Sequence, residues 1–130
     1  MHHPTVLVVD DDENILSAFK DFLKSENCRA ITASSAEEAS VHLEGTPVDL
    51  VITDVRLKSR SGVTFLMQLK ADRQDLPVIV ITGYPSLITE EDIRTFGADY
   101  FFLKPLELDR LRHAVRKCLH LNKENHTTHH

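Results

Sequence analysis

Four short apolar runs each deliver a polar residue suited to phosphoryl chemistry. Val6–Val9 leads into Asp10 and Asp11, Leu50–Thr53 into Asp54, Val78–Ile81 into Thr82, and Tyr100–Leu103 into Lys104, which Pro105 follows. In an open parallel sheet, ligands bind in the crevice beyond the carboxyl ends of the strands. If the four runs are parallel strands, three carboxylates, one hydroxyl and one ammonium meet at one edge. Three negative charges against one positive leave a net −2 in a small space, and like charges that close raise carboxylate pKa values unless a cation neutralises them. Mg²⁺ suits the donor set: it takes hard oxygen ligands from one or two carboxylates and keeps several waters. Beside it a carboxylate can attack a phosphoryl donor in line, while hydroxyl and ammonium stabilise the equatorial oxygens.

The elements that must position these groups follow from periodicity. Apolar runs alternate with amphipathic stretches, the βα pattern of a doubly wound α/β domain. Strands are expected over Thr5–Val9, Arg29–Ala33, Asp49–Thr53, Val78–Ile81 and Asp99–Leu103. A first helix over Glu13–Ser25 turns Ile15, Ala18, Phe19, Phe22 and Leu23 to one face. Ser35 with Glu38 reads as a capping box opening a second helix, which Gly45 and Pro47 close. Arg56–Gly62 reads as an exposed loop, and a third helix turns Phe65, Leu66 and Leu69 inward. A fourth helix, opened by Pro85 and Ser86, buries Ile93 and Phe96 and stops at Gly97. A fifth runs from Glu107 to Leu121 with Leu108, Leu111, Val115 and Leu119 inward. Residues 122–130 read as a flexible tail.

At 130 residues the chain fits one domain, with the charged (27%) and hydrophobic (42%) fractions of an ordinary globular protein and no room for an output domain. No apolar run approaches the roughly 20 residues that span a bilayer, so a cytosolic location with no membrane partner is the expectation. The net charge of −5 argues against direct nucleic-acid binding. Arg110, Arg112, Arg116 and Lys117 read as a solvated helix face. Cys28 and Cys118 match no metal spacing and read as reduced packing residues. The terminal histidines read as disordered ends.

Taken together, Val8-Val9-Asp10-Asp11-Asp12-Glu13, Asp54 with Gly62 eight positions on, Thr82-Gly83 and Lys104-Pro105 resemble the receiver domain of two-component response regulators. The resemblance covers about Thr5–Leu121, making residues 1–121 the receiver. It implies a three-layer α/β sandwich, with five parallel strands in the order 2-1-3-4-5 and five helices. It also implies that Asp54 accepts phosphate from a sensor histidine kinase or phosphotransfer protein. Asp11, Asp54 and the Arg56 carbonyl would ligate Mg²⁺ (Mn²⁺ could substitute), with Asp10 acting through water. Thr82 and Lys104 would hold the phosphoryl group, with Lys104–Pro105 cis. Thr82 and Phe101 would form the switch that reshapes the helix-four, strand-five, helix-five face for an effector, an output domain or a homodimer partner. Arg56 and Tyr84 stand where the family tunes phosphoryl lifetime, and as bulky groups they are expected to slow hydrolysis. Lys58 departs from the family's usual proline, and Phe101 lacks the hydroxyl of a hydrogen-bonding switch.

Weighed singly, each residue has a plainer reading. Asp10 and Asp11 could cap a helix, as Asp12 is expected to do; Asp54 could be a turn residue; Phe101 could be fixed core. The run Asp10-x-Asp12-x-Asn14 is no calcium loop, because its sixth position is Ile15 rather than glycine. Two rivals stand beside the switch. One is an aspartate-nucleophile phosphatase of the haloacid-dehalogenase kind, which would need Thr or Val where Asn14 stands. The other is a receiver that docks proteins without being phosphorylated. The receiver reading makes the chain a switch, assisting only its own phosphorylation and dephosphorylation.

Overall fold

The computed structural model describes residues 3–55, 62–83 and 90–127. Its elements are β1 (Thr5–Val9), α1 (Glu13–Ser25), β2 (Arg29–Ala33), α2 (Ala36–Gly45), β3 (Leu50–Asp54), α3 (Gly62–Asp72), β4 (Val78–Thr82), α4 (Glu90–Thr95), β5 (Tyr100–Leu103) and α5 (Leu108–Thr127). The strands form one parallel sheet in the order β2-β1-β3-β4-β5. This is the expected three-layer architecture. Strand residues alternate between two cores. Leu7, Val9, Val51, Val78 and Val80 pack with α2, α3 and α4, whereas Val6, Val8, Leu50, Ile52, Ile79 and Ile81 pack with α1 and α5. Burial on both faces explains why these strands read as unbroken apolar runs.

The structure moves several expected boundaries and faces. β3 is displaced by one residue, so that Asp54 is its last member. In α1 the core receives Leu16, Phe19, Phe22 and Leu23, while Ile15 is half-buried and Ala18 exposed. Among the described side chains of α5, Leu111, Ala114, Val115, Cys118 and Leu119 are buried; Leu108, expected inside, is 57% exposed. α5 also continues to Thr127, past the expected end at Leu121. The capping box forms by half: Ser35 Oγ accepts from the Glu38 amide at 3.1 Å, but the Glu38 carboxylate takes the Ser34 hydroxyl instead. Gly45 is helical, and the Thr46 amide closes α2 on the His42 carbonyl. Gly97, at φ 107°, does supply the left-handed stop after α4.

The arginines of α5 are not merely solvated. Arg116 Nε donates to Glu26 at 2.6 Å and Arg112 Nε at 3.2 Å, with the Arg112 guanidinium also 5.8 Å from the Phe22 ring centre. Glu26, the C-cap of α1, is thereby tied to α5, and the Arg116 hydrogen bond holds its carboxyl below the usual range. Both cysteines are free; burial pushes the Cys118 thiol up to about 12, in keeping with a packing role.

α3 starts where β3 has just ended, and its first residue has no room for a side chain. A Cβ on Gly62 would fall on the Asp54 carbonyl oxygen and the Val55 backbone, while the Gly62 amide donates to the Val55 carbonyl at 2.9 Å. Gly62→Ala is therefore expected to cost about 1–3 kcal/mol through backbone displacement, read as a lower urea midpoint. An unchanged midpoint would show that α3 can start without this close approach.

Candidate functional site

Sheet register builds the site. Val9 lies opposite Thr53, so Asp10 and Asp54 follow side by side on neighbouring strands; Thr82 lies opposite Leu103, so Lys104 follows next to it. The order reverses between β1 and β3, which opens a crevice at their carboxyl ends. Backbone bonds continue the pairing beyond the strands: the Asp10 amide donates to Ala33 at 3.1 Å and the Lys104 amide to Thr82 at 2.8 Å. The Lys104–Pro105 peptide is cis, as the resemblance implied.

Into this crevice Lys104 sends its ammonium between two carboxylates. Nζ donates to Asp54 Oδ2 at 2.8 Å and to Asp10 Oδ2 at 3.0 Å. Asp10 and Thr82 are wholly buried and Asp54 is 5% exposed. Burial raises the Asp10 pKa, and the Asp12 amide and Lys104 offset it only in part. For Lys104, burial alone would lower the pKa, but hydrogen bonds to Asp54 and Asp10 outweigh it and hold the ammonium above its ordinary value. The lysine is therefore a fixed cation at neutral pH.

Asp11, half-buried, adjoins this group, and Asp12 caps α1, its Oδ1 accepting from the Asn14 amide at 2.9 Å. Among the described residues no three His, Cys, Asp or Glu side chains close on a single point. The donor set is instead a pair of carboxylates held by one ammonium, with a third carboxylate next in sequence. Such hard oxygen donors are of the kind Mg²⁺ takes when it draws one or two carboxylates from a protein and keeps several waters. Phe101 is half-buried on the α4 side with Phe96 and the α3 core, whereas Tyr100 and Phe102, their rings 6.3 Å apart, face α5. Arg56, Lys58 and Tyr84 lie outside the described residues.

A family model for the response regulator receiver domain matches residues 6–116. The chain belongs to this family. Receiver domains work as signalling switches in two-component systems, pairing with histidine kinases and output domains, and generally bind Mg²⁺ in an acidic pocket. The chain is 36% identical over 115 residues to the heme response regulator HssR of Staphylococcus saprophyticus; the match covers 88% of this chain and 51% of that protein. It thus spans about half the length of that relative. Among solved structures, a response regulator receiver protein from Pseudomonas putida is 34% identical with TM-score 0.81, covering 90% of this chain and 98% of the other. A CheY-like receiver domain protein from Methanospirillum hungatei is 25% identical with TM-score 0.87, covering 95% and 99%. No described helix is long and apolar enough to cross a membrane.

Two features of the site escaped sequence reasoning. One is the Asp12 amide's bond to Asp10, since backbone donors leave no trace in residue type. The other is an apolar groove of about 580 Å³ beside Lys104, lined by Ile15, Ala18, Phe22, Pro105, Leu106 and Leu108 among others. Ala18 and Leu108, the two residues expected in the core and found exposed, both line it. Their apolar character was the available signal.

The buried carboxylate sets a pH dependence. Asp10 has a higher pKa folded than its ordinary 3.8, so folding favours its protonated form. Its contribution to the metal-free protein's stability is full at pH below 3.8 and is lost as pH rises through the folded value. Asp10→Asn should remove this dependence, giving urea midpoints that fall less than wild type as pH rises from below 3.8 towards neutrality. Parallel pH profiles for the two proteins would contradict the assignment.

Proposed function

We propose that Asp54 is the phosphoacceptor of this receiver, taking a phosphoryl group from a histidine kinase or phosphotransfer protein. The observation that carries this reading is the Lys104 ammonium, which reaches Asp54 and Asp10 together across an otherwise anionic crevice. A carboxylate oxygen of Asp54 attacks phosphorus, the P–N bond to the donor imidazole breaks, and an aspartyl phosphate forms. Asp10, Asp11, Asp54 and the Arg56 carbonyl would hold Mg²⁺, which when bound supplies charge neutralisation for the phosphoryl oxygens. Lys104 keeps its ammonium at a second of those oxygens and the Thr82 hydroxyl meets the third. The added negative charge draws Thr82, and Phe101 repacks behind it, altering the α4-β5-α5 surface read by an effector, an output domain or a second copy. Residues 1–121 make up this unit, with Arg56 and Tyr84 shielding the acyl phosphate from water.

The reading is tested by incubating the protein with Mg²⁺ and acetyl phosphate and measuring intact mass. Wild type should gain one phosphoryl group, labile to base, and Asp54→Asn should gain none. Equal labelling of both would exclude Asp54, and continuous turnover of phosphate esters would favour a phosphatase.

The groove beside Lys104 suits the donor protein. It is open and apolar and is bordered by Lys104, whose ammonium bonds Asp54, so a helix carrying the donor histidine could seat apolar side chains against Ile15, Ala18 and Leu108. Ala18→Arg should then slow transfer from a kinase that labels wild type by about tenfold or more, the loss of one well-packed contact. Labelling by acetyl phosphate, which needs no docking, should persist. If both donors slow together, the groove is not where the donor sits.

A further inference from the structure

We infer that Asp12 is a positioning residue for the metal site, acting through Asp10 rather than touching the ion. The inference rests on the proposed Mg²⁺-dependent phosphoacceptor reading. Residue 12 is held from two sides by the first turn of α1: its side-chain Oδ1 accepts from the Asn14 amide at 2.9 Å, and its carbonyl accepts from the Leu16 amide at 3.1 Å. Those contacts fix its backbone at φ −97°, ψ 111°, the extended conformation of an N-cap. So fixed, the Asp12 amide points back at the site and donates to Asp10 Oδ1 at 3.0 Å.

That bond settles which way Asp10 turns. Its other oxygen, Oδ2, accepts from Lys104 at 3.0 Å, and its own amide donates to Ala33. With backbone and both oxygens held, the buried carboxylate has one orientation. Asp54, on the neighbouring strand, shares the same ammonium. The helix cap and the metal site are thus one hydrogen-bonded chain, running Asn14, Asp12, Asp10, Lys104, Asp54. Groups that orient a metal's carboxylates are worth about 10- to 100-fold in affinity elsewhere. Asp12 has this standing through its capping geometry rather than its charge, because its exposed carboxylate faces solvent, which screens it.

The two possibilities separate in a Mg²⁺ titration. Asp12→Asn keeps the cap and discards the charge, because Asn caps helices about as well as Asp; Asp12→Ala discards both. Dissociation constants for Mg²⁺ alone are measured by calorimetry at constant ionic strength on wild type, Asp12→Asn and Asp12→Ala. Asp12→Ser serves as a second cap-competent variant should Asp12→Ala not fold. The expected pattern is near-wild-type affinity for Asp12→Asn and Asp12→Ser, and binding weakened about tenfold in Asp12→Ala. If Asp12→Ala is insoluble, Asp12→Leu, equally poor as a cap, takes its place: weakened binding there with wild-type affinity in Asp12→Asn and Asp12→Ser supports the proposal, and wild-type affinity in all three refutes it. Equal weakening in Asp12→Asn and Asp12→Ala would show that charge matters and overturn the proposal. Wild-type affinity in Asp12→Ala would overturn it too, leaving Asp12 a helix cap only. A wild-type protein that binds no Mg²⁺ would instead defeat the functional reading on which this one stands.

Discussion

One ammonium group organises this protein. Lys104 sits 94 residues from Asp10 and 50 from Asp54 in the chain, yet its Nζ lies within 3.0 Å of a carboxylate oxygen on each. Two buried carboxylates on adjacent strands would repel one another strongly in a low-dielectric crevice. The lysine relieves that repulsion only in part, because two negative charges face one positive. Such a pocket suits a small divalent cation, and in the proposed function an arriving phosphoryl group would add further negative charge to be neutralised.

The sheet exists in the form that makes this meeting possible. Parallel strands end at one edge, and the 2-1-3-4-5 order brings the ends of β1 and β3 together at its centre, with β4 and β5 following on one side. Asp10, Asp54, Thr82 and Lys104 are each the last residue of a strand or the next one beyond it. Apolar side chains on both faces hold the strands, so the polar residue at each end is placed by the rigid part of the molecule. Gly62 at the β3–α3 closure and Asp12 at the α1 cap do the finer adjustment, the first by having no side chain and the second by where its amide points.

One helix, α1, borders both the core and the apolar groove. Leu16, Phe19, Phe22 and Leu23 enter the core, while Ile15 and Ala18 border the groove, and Phe22 contributes to both. At the far end of the helix, Glu26 is gripped by Arg112 and Arg116 of α5. The groove between α1 and the start of α5 is therefore framed by a structural ion cluster at one end and by Lys104 at the other. The aromatic residues of β5 divide likewise: Tyr100 and Phe102 serve the α5 core, and Phe101 alone faces α4.

Much of this was legible in the amino-acid sequence. The alternation of apolar runs with amphipathic stretches determined the α/β class, because strands buried on both faces and helices buried on one leave different periods. The residue types at the strand ends pointed to the chemistry proposed, since only a few side chains can bind a hard cation and a phosphoryl group. Periodicity did not settle which edge of a wide apolar stripe enters the core, so Ala18 and Leu108 were expected inside, and Leu16 and Ala114 went unnoticed. Nor could charge spacing reveal that Arg112 and Arg116 grip Glu26, about 90 residues away. Local pattern is set by each element's own geometry and can be read along the chain. The partner of a lysine, the face a helix turns inward and the direction of a backbone amide are set by packing between distant elements, and only the folded molecule decides them.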